Sequence, residues 1–250
     1  MHLKTQGLVL REVNYKEADK ILTVLTRDYG KITLKARGVR RAGSPLKAAC
    51  QLLAYGEFTF FEYRGMSTIN EAIALELFPA LRQDLELLSL GTYFAQVAEV
   101  LSQEDAPSPE LLSLTLNAMY AMTKLQKPQN LVKAAFELRV VSYAGYAPDL
   151  EACHICGSPY PDRFVLSAGC LECSSCRSLD GLHMPISPGA LDAMRHIVMC
   201  PPSQLFSFRL ESKSMTQLSN IAEAYLSTQL ERSFSTLDFY KSLFIGTMST

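Results

Sequence analysis

Residues 1–75 alternate polar and apolar side chains over short stretches, as half-buried β-strands do. The stretch Lys31–Ala36 has this period of two, and the turn formers Asp28-Tyr29-Gly30 precede it. Four further stretches have strand-like composition, at 5–13, 19–26, 55–63 and 66–73. Five short strands joined by turns predict a small closed barrel, with an open antiparallel sheet as the alternative.

Apolar side chains recur at helical spacing from residue 80 to 147 and again after residue 187. Proline-containing breaks at 106–109 and 127–128 separate three helices in the first region, and Gly145 is placed to end the third. In the second region we predict helices at 190–199, 215–231 and 237–244.

Residues 148–186 interrupt the helices with turn formers and hold five of the seven cysteines. The chain is therefore predicted to be an α+β protein with three parts. Residues 1–78 form a β-barrel domain, residues 79–147 plus 187–250 form one helical domain, and residues 148–186 form an inserted module. A chain of 250 residues is long enough for this division.

The composition predicts a folded chain in the cytoplasm. Hydrophobic residues make up 48% of it, which is typical of globular proteins. The first apolar run, Gly7-Leu8-Val9-Leu10, is too short for a secretory signal, and no apolar stretch reaches the roughly 18 residues of a membrane span. In the cytoplasm the cysteines would be reduced thiols rather than disulfides.

Four of the cysteines have the spacing of a metal site. Cys153 and Cys156 are separated by two residues, as are Cys173 and Cys176, and sixteen residues lie between the pairs. Two intervening residues allow both thiolates of a turn to reach one ion, and the loop length is typical of four-cysteine zinc sites. The sequence predicts one structural Zn²⁺, since four protein ligands leave no open position for water or substrate.

Other readings of the cysteines stay open at this point. The four thiols could be buried without a metal, and Cys170 could replace Cys173 as a ligand. His154 and His183 are further substitutes. The two remaining cysteines, Cys50 and Cys200, are expected to be core thiols.

A second candidate site comes from the distribution of charge. The net charge is only −1, yet the interval from Tyr29 to Gly56 holds six of the 24 basic residues and none of the 25 acidic ones. We call Lys31 to Lys47 the basic segment. Its cations are Lys31, Lys35, Arg37, Arg40, Arg41 and Lys47.

Such segregation is typical of a surface that binds phosphates. A flexible loop with these cations at the mouth of a barrel would follow a nucleic-acid backbone without reading bases. The aromatic residues Tyr15, Tyr55, Phe58 and Tyr63 are candidates for stacking on bases, although their alternation places at least half of them in the core. The alternative for the whole segment is a solvated cationic loop without a ligand.

No enzyme motif accompanies these two sites. The sequence has no phosphate-binding Gly-x-x-x-x-Gly-Lys-Ser/Thr loop, no Gly-x-Gly-x-x-Gly and no Gly-x-Ser-x-Gly. We therefore expect a binding protein and not an enzyme.

Taken in order along nearly the whole chain, the motifs resemble the RecO family of bacterial recombination mediators. The resemblance rests on Gly7-Leu8-Val9-Leu10, Tyr15-x-Glu17-x-Asp19, Thr26-x3-Gly30, Lys35-x-Arg37-Gly38-x-Arg40, the stretch from Phe136-Glu137-Leu138 to Gly145-Tyr146-Ala147-Pro148, Cys153-x2-Cys156-Gly157 and Gly169-x3-Cys173-x2-Cys176. One departure is Cys170, where the family often has a second glycine, and some members of the family lack the cysteines.

The resemblance implies an N-terminal OB-fold, a helical domain and a zinc module. It implies a DNA repair protein without enzymatic activity, which binds single- and double-stranded DNA, anneals complementary strands and works in the cytoplasm in association with the nucleoid. With RecR, such a protein helps RecA to replace single-strand-binding protein (SSB) on gapped DNA. A hydrophobic and basic groove of the helical domain would receive the acidic C-terminal tail of SSB.

Two other functions remain as alternatives. In the first, the chain is a protein–protein adaptor with a structural zinc module and does not bind DNA itself. In the second, it is a metal-dependent hydrolase acting on nucleic acid, which would need an open position on the metal.

Overall fold

The computed structural model describes residues 2–63, 65–176 and 181–245, apart from the side chains of Tyr63 and Ile245. Its first part is a barrel of five strands, in the order β1-β2-β3-β5-β4. The pairing of β1 with β4 closes the barrel, and β3 pairs with β5 in parallel. The strands are β1 (His2–Tyr15), β2 (Asp19–Thr26), β3 (Lys31–Ala36), β4 (Tyr55–Tyr63) and β5 (Met66–Glu76).

The closed barrel confirms the prediction made from the strand pattern and excludes the open sheet. Strand β1 is long because its first half pairs with β4 and its second half with β2. Gly7 lies where both pairings overlap. A Cβ atom there would come within 2.6 Å of the Val24 side chain and 2.9 Å of the Leu25 carbonyl oxygen, so this crossing needs glycine.

The connection between β3 and β4, residues 37–54, packs into one side of the barrel core. Val39, Leu46, Ala49 and Cys50 are buried against the strand residues that fill the interior. Hydrogen bonds between β1 and the end of the connection, from Val9 N–H to the Ala54 carbonyl, fix it further. The sequence suggested a flexible loop here, but the burial of these apolar side chains holds the connection in a series of turns.

Four helices belong with the barrel. They are α1 (Pro79–Gln83), α2 (Leu85–Leu101), α3 (Pro109–Thr123) and, at the other end of the chain, α7 (Ser235–Ile245). Asp84 begins α2, because its carboxylate accepts hydrogen bonds from the N–H groups of Glu86 and Leu87. Helix α2 contacts both β1 and α7. The ring of Tyr93 in α2 also meets the ring of Phe234, the residue before α7, edge to face at 5.6 Å.

The rest of the chain forms a helical region with a small three-stranded sheet. Its elements are α4 (Gln129–Tyr143), β6 (Arg163–Val165), β7 (Cys170–Glu172), β8 (His183–Pro185), α5 (Pro188–Met199) and α6 (Ser212–Gln229). Helices α4 and α6 are joined by a buried ion pair, in which Lys133 Nζ lies 2.9 Å from Glu137 Oε1 and 2.8 Å from Glu223 Oε2. Helix α4 ends before Gly145, which has a φ of 95°, as the sequence predicted.

Contacts within the chain divide it into two compact units. The first is Met1–Thr123 with Phe234–Thr250, and the second is Lys124–Ser233. The barrel lies in the first unit and the cysteine-rich residues in the second. The three-part domain division proposed from the sequence is a different partition and stays a prediction. Among the residues that the structure describes, no helix has the length and apolar character needed to cross a membrane.

Candidate metal centre and candidate nucleic-acid interface

Two tight turns present the cysteines of the candidate metal centre. In the first, the Gly157 N–H donates to the Cys153 carbonyl at 2.8 Å, and the Cys153 N–H donates to the Ser158 carbonyl at 2.8 Å. In the second, the Cys176 N–H donates to the Cys173 carbonyl at 3.0 Å. Each turn therefore brings both of its thiol groups to one side.

The four sulfur atoms converge on a single point. The Sγ atoms of Cys153, Cys156, Cys173 and Cys176 all lie within 4.8 Å of one another. Two of the distances are 3.9 Å, between Cys153 and Cys176, and 3.8 Å, between Cys156 and Cys173. An ion in the centre of a regular tetrahedron with metal–sulfur bonds of about 2.3 Å needs sulfurs about 3.8 Å apart. The group has the size and the donor atoms to hold a metal ion.

The pKa values of two thiols in this group shift in opposite directions. Burial raises the pKa of Cys153, but the N–H groups of Cys156, Ile155 and Cys173 outweigh it and bring the pKa to about 6. A hydrogen bond with Cys156, together with desolvation, raises the pKa of Cys176 to about 12. Cys153 therefore forms a thiolate readily near neutral pH, whereas a thiolate at Cys176 requires a positive charge beside it.

The other candidate ligands from the sequence lie apart from this group. Cys170 is buried in β7, and within the described residues its sulfur is not a member of the cysteine group. His154 and His183 both face the buried carboxylate of Glu172, at 3.9 Å and 3.5 Å. The structure thus brings together the four cysteines that the spacing selected.

Helices α5 and α6 tie the cysteine module in place. Arg195 in α5 donates to the carbonyls of Leu150 and Glu151, just before the first cysteine turn. On α6, the Tyr225 hydroxyl donates to the Tyr146 carbonyl at 3.0 Å. Its ring lies so close to Gly169 that a Cβ there would come within 2.3 Å of the Tyr225 oxygen.

The six cations of the basic segment fall into two groups. Lys31 and Lys35 are partly buried, whereas the other four are exposed on the β3–β4 connection. Lys31 Nζ donates to the Glu99 carbonyl at 2.8 Å. Lys35 Nζ lies 3.3 Å from Asp19 Oδ2 and 4.9 Å from the centre of the Tyr15 ring. The ammonium groups of both lysines therefore make contacts within the protein.

Asp19 is held in its charged form by the same contacts. A hydrogen bond from the Gly38 N–H, with the nearby Lys35 ammonium, lowers the pKa of the Asp19 carboxyl below its ordinary value, against an opposing effect of burial. Asp19 thus connects the start of β2 to the start of the β3–β4 connection, 2.8 Å from the Gly38 nitrogen.

The exposed cations are Arg37, Arg40, Arg41 and Lys47. Arg40 makes a long hydrogen bond to the Lys16 carbonyl, at 3.4 Å. Within the part of the chain that the structure describes, the other three side chains have no hydrogen bond or ion pair. These four positive charges are available to an anionic ligand.

Most of the candidate stacking residues make contacts inside the protein. Phe58 is fully buried in the barrel, and the Tyr55 hydroxyl donates to Gln6 Oε1 at 2.8 Å. Tyr15 packs beneath the Lys35 ammonium, although 37% of it stays exposed. The Tyr63 side chain lies outside the described residues.

Next to the exposed cations is a cleft of about 580 Å³ with two cations that the sequence did not single out, Lys20 of β2 and Arg82 of α1. Lys20 lies in β2 and precedes the basic segment. Arg82 lies in a helix well beyond the basic segment, so no pattern along the chain connects the two.

A second hollow of about 580 Å³ lies in the other unit, between the start of α4 and the start of α6. Its walls include the apolar side chains of Leu131, Phe208 and Met215. Lys127 and Arg209 also line it, and no lining residue that the structure describes is acidic. We call it the α4–α6 hollow.

Comparisons with known proteins match both the barrel and the region that follows it. The family model "Recombination protein O N terminal" matches residues 1–78, and "Recombination protein O C terminal" matches residues 82–238. A DNA repair protein RecO from Acetivibrio thermocellus is 37% identical over 97% of both chains. Proteins of the same name from Heliobacterium modesticaldum, at 31% identity over 94% of this chain and 89% of its own, and from Desulforudis audaxviator, at 29% over 97% and 98%, are also similar.

Proposed function

Since the chain belongs to the RecO family of DNA repair proteins, we propose that it is a recombination mediator that binds single- and double-stranded DNA. In this role it anneals complementary strands and, with RecR, helps RecA to load on SSB-coated DNA. It acts on chromosomal DNA in the cytoplasm, in association with the nucleoid. Its role is binding rather than catalysis.

One observation carries the DNA-binding part of the proposal. Arg37, Arg40, Arg41 and Lys47 project from a buried connection of a closed five-stranded barrel, and no carboxylate of the described residues neutralises them. Barrels of the OB type bind oligonucleotides, and cations fixed on their surface contact phosphates without reading bases. Because the connection is held by its buried side chains, these charges are positioned before DNA arrives.

The test is fluorescence anisotropy of a labelled single strand, titrated with the protein at two salt concentrations. Four phosphate contacts predict a slope of about −2.8 for log affinity against log salt, or a loss of about 50-fold between 50 and 200 mM. The double variant R37E/R41E should weaken binding at least about 25-fold at 0.1 M salt.

The matched control is K213E/R232E, which makes the same change of charge at two exposed residues of α6 and its C-terminal end. Its affinity should stay close to that of the natural chain. If the natural chain binds no DNA at either salt concentration, the adaptor function takes the place of the mediator.

We assign Zn²⁺ in a structural role to the four-cysteine group. The support is the convergence of four sulfurs at distances that suit a tetrahedral ion. When bound, the ion would compensate the charge of four thiolates and stabilise a module with only a three-stranded sheet of its own. Four thiolate ligands would leave no position for a reacting water, which is why we favour a structural ion over the hydrolase alternative.

We assign the acidic C-terminal tail of SSB to the α4–α6 hollow. Its apolar walls with Lys127 and Arg209 suit a peptide that has both apolar and acidic side chains. A labelled tail peptide should bind the natural chain, and R209E should weaken binding by about tenfold or more, because a charge-assisted hydrogen bond contributes about 1.5–3 kcal/mol. R232E is the control, and equal binding by all three chains would exclude this hollow as the docking site.

A further inference from the structure

The cleft beside the β3–β4 connection combines residues from three parts of the first unit. Lys20 comes from β2, Arg40 and Lys47 from the connection, and Arg82 from α1. These residues are distant in sequence, and the closure of the barrel against α1 brings them to one cleft of about 580 Å³. That volume is in the range of sites that hold a small ligand or part of a chain.

The charge of the cleft is strongly positive. Glu12, the one carboxylate among the described residues that line it, already accepts hydrogen bonds from Lys20 Nζ at 2.8 Å and from the Leu52 N–H at 3.1 Å. Arg82 donates to the carbonyls of Leu77 and Leu52, which fix its guanidinium without cancelling its charge. Among the lining residues that the structure describes, four cations stand against this one carboxylate, so three positive charges have no counter-charge there.

The cleft also has an apolar side. Leu52 and Leu88 line it and are only partly buried, and Val39 closes it toward the barrel core. A purely inorganic anion would leave these carbon surfaces exposed to water. A nucleotide unit, with an anionic phosphate and a flat apolar base, matches both sides of the cleft.

We propose that this cleft seats one single strand, with phosphates against Arg40, Lys47 and Arg82 and a base against Leu52 and Leu88. The bases of a duplex are paired and stacked, so they do not reach Leu52 and Leu88. Arg37 and Arg41, which do not line the cleft, contact phosphates of single strands and duplexes alike. The inference rests on the proposed DNA-binding function and adds to it a residue set that distinguishes the two forms of DNA.

The experiment compares two double variants that each remove two exposed positive charges from the same connection. R40Q/K47Q alters the cleft, and R37Q/R41Q is its matched control. Affinity is measured for one DNA sequence as a single strand and as a blunt duplex, at 0.1 M salt. Because the side chains are exposed, both variants should keep the thermal midpoint of the natural chain.

A single-strand phosphate contact changes affinity about fivefold at this salt concentration. R40Q/K47Q should therefore weaken single-strand binding about 25-fold and duplex binding less than about threefold, whereas R37Q/R41Q should weaken both by similar factors. Equal losses for both forms of DNA with R40Q/K47Q, or no loss for the single strand, would overturn the cleft. Neither result would contradict the proposed DNA-binding function. That function is contradicted only if the natural chain binds neither form of DNA.

Discussion

The cysteine module and the basic segment were both recognised from residue spacing and composition, yet they correspond to the structure to different degrees. All four cysteines selected by their spacing converge within 4.8 Å. Of the six cations selected by composition, Lys31 and Lys35 make internal contacts. The cleft that Arg40 and Lys47 line also holds Lys20 and Arg82, which the composition of the segment did not select. A metal ion fixes the geometry of its ligands, so the ligand residues occur at characteristic intervals in the sequence. A phosphate surface imposes no spacing, so composition identifies its region but not its members.

The sharpest test of this difference is to remove one cysteine of the group. C156S should reduce the metal content from one ion per chain to nearly none, because three thiolates hold the ion far less tightly than four. The thermal midpoint of the cysteine module should fall strongly, since binding a structural zinc contributes about 10–16 kcal/mol in small zinc domains. Metal released into a chromophoric chelator measures the content.

Cys170 offers the matched control for that variant, because it lies in the same module but outside the group. C170A should keep its metal and lose only the modest free energy of a small buried side chain. Loss of metal from C170A, with metal retained by C156S, would reverse the ligand assignment.

Much of the fold was accessible from sequence for the same reason as the cysteines. The alternation in Lys31–Ala36 predicts β3 because a half-buried strand has a fixed period, and the apolar spacing after Gln129 predicts α4 in the same way. The order of β-structure, helices, cysteine module and helices is confirmed.

What the sequence could not supply were contacts between residues far apart in the chain. Nothing near Lys31 shows that its ammonium will reach the Glu99 carbonyl, or that Lys35 will pair with Asp19. The ordered state of the β3–β4 connection has the same origin, because Val39 and Leu46 look like isolated apolar residues until the barrel closes over them. Charge composition and turn formers alone suggest a flexible loop.

A smaller effect is expected from replacing one glycine in each region. Gly169 in the module and Gly43 in the basic segment both have positive φ, of 64° and 78°. A Cβ at Gly169 would come within 2.3 Å of the Tyr225 hydroxyl, whereas nothing lies within 4 Å of one at Gly43. G43A should lower the free energy of unfolding by about 1 kcal/mol through backbone strain alone, and G169A by about 3 kcal/mol because crowding is added.

Chemical denaturation followed by circular dichroism measures both losses. Equal losses would mean that the Tyr225 ring moves aside at little cost in free energy. The hydrogen bond from the Tyr225 hydroxyl to the Tyr146 carbonyl would then hold the module to α6 only weakly.

The smallest effect separates the two groups of cations within the basic segment. K35Q removes the ion pair with Asp19 and should lower the free energy of unfolding by about 1 kcal/mol. The effect stays this small because Asp19, although mostly buried, keeps its hydrogen bond from the Gly38 N–H. Its affinity for single-stranded DNA should change less than about twofold. R41Q should do the opposite, with unchanged stability and about fivefold weaker binding at 0.1 M salt, because Arg41 is exposed. Denaturation and anisotropy on the same two proteins distinguish these outcomes. If both variants weaken DNA binding equally, Lys35 leaves Asp19 when DNA binds. Lys35 would then belong to the DNA site, as the composition of the segment predicts, despite its ion pair in the free protein.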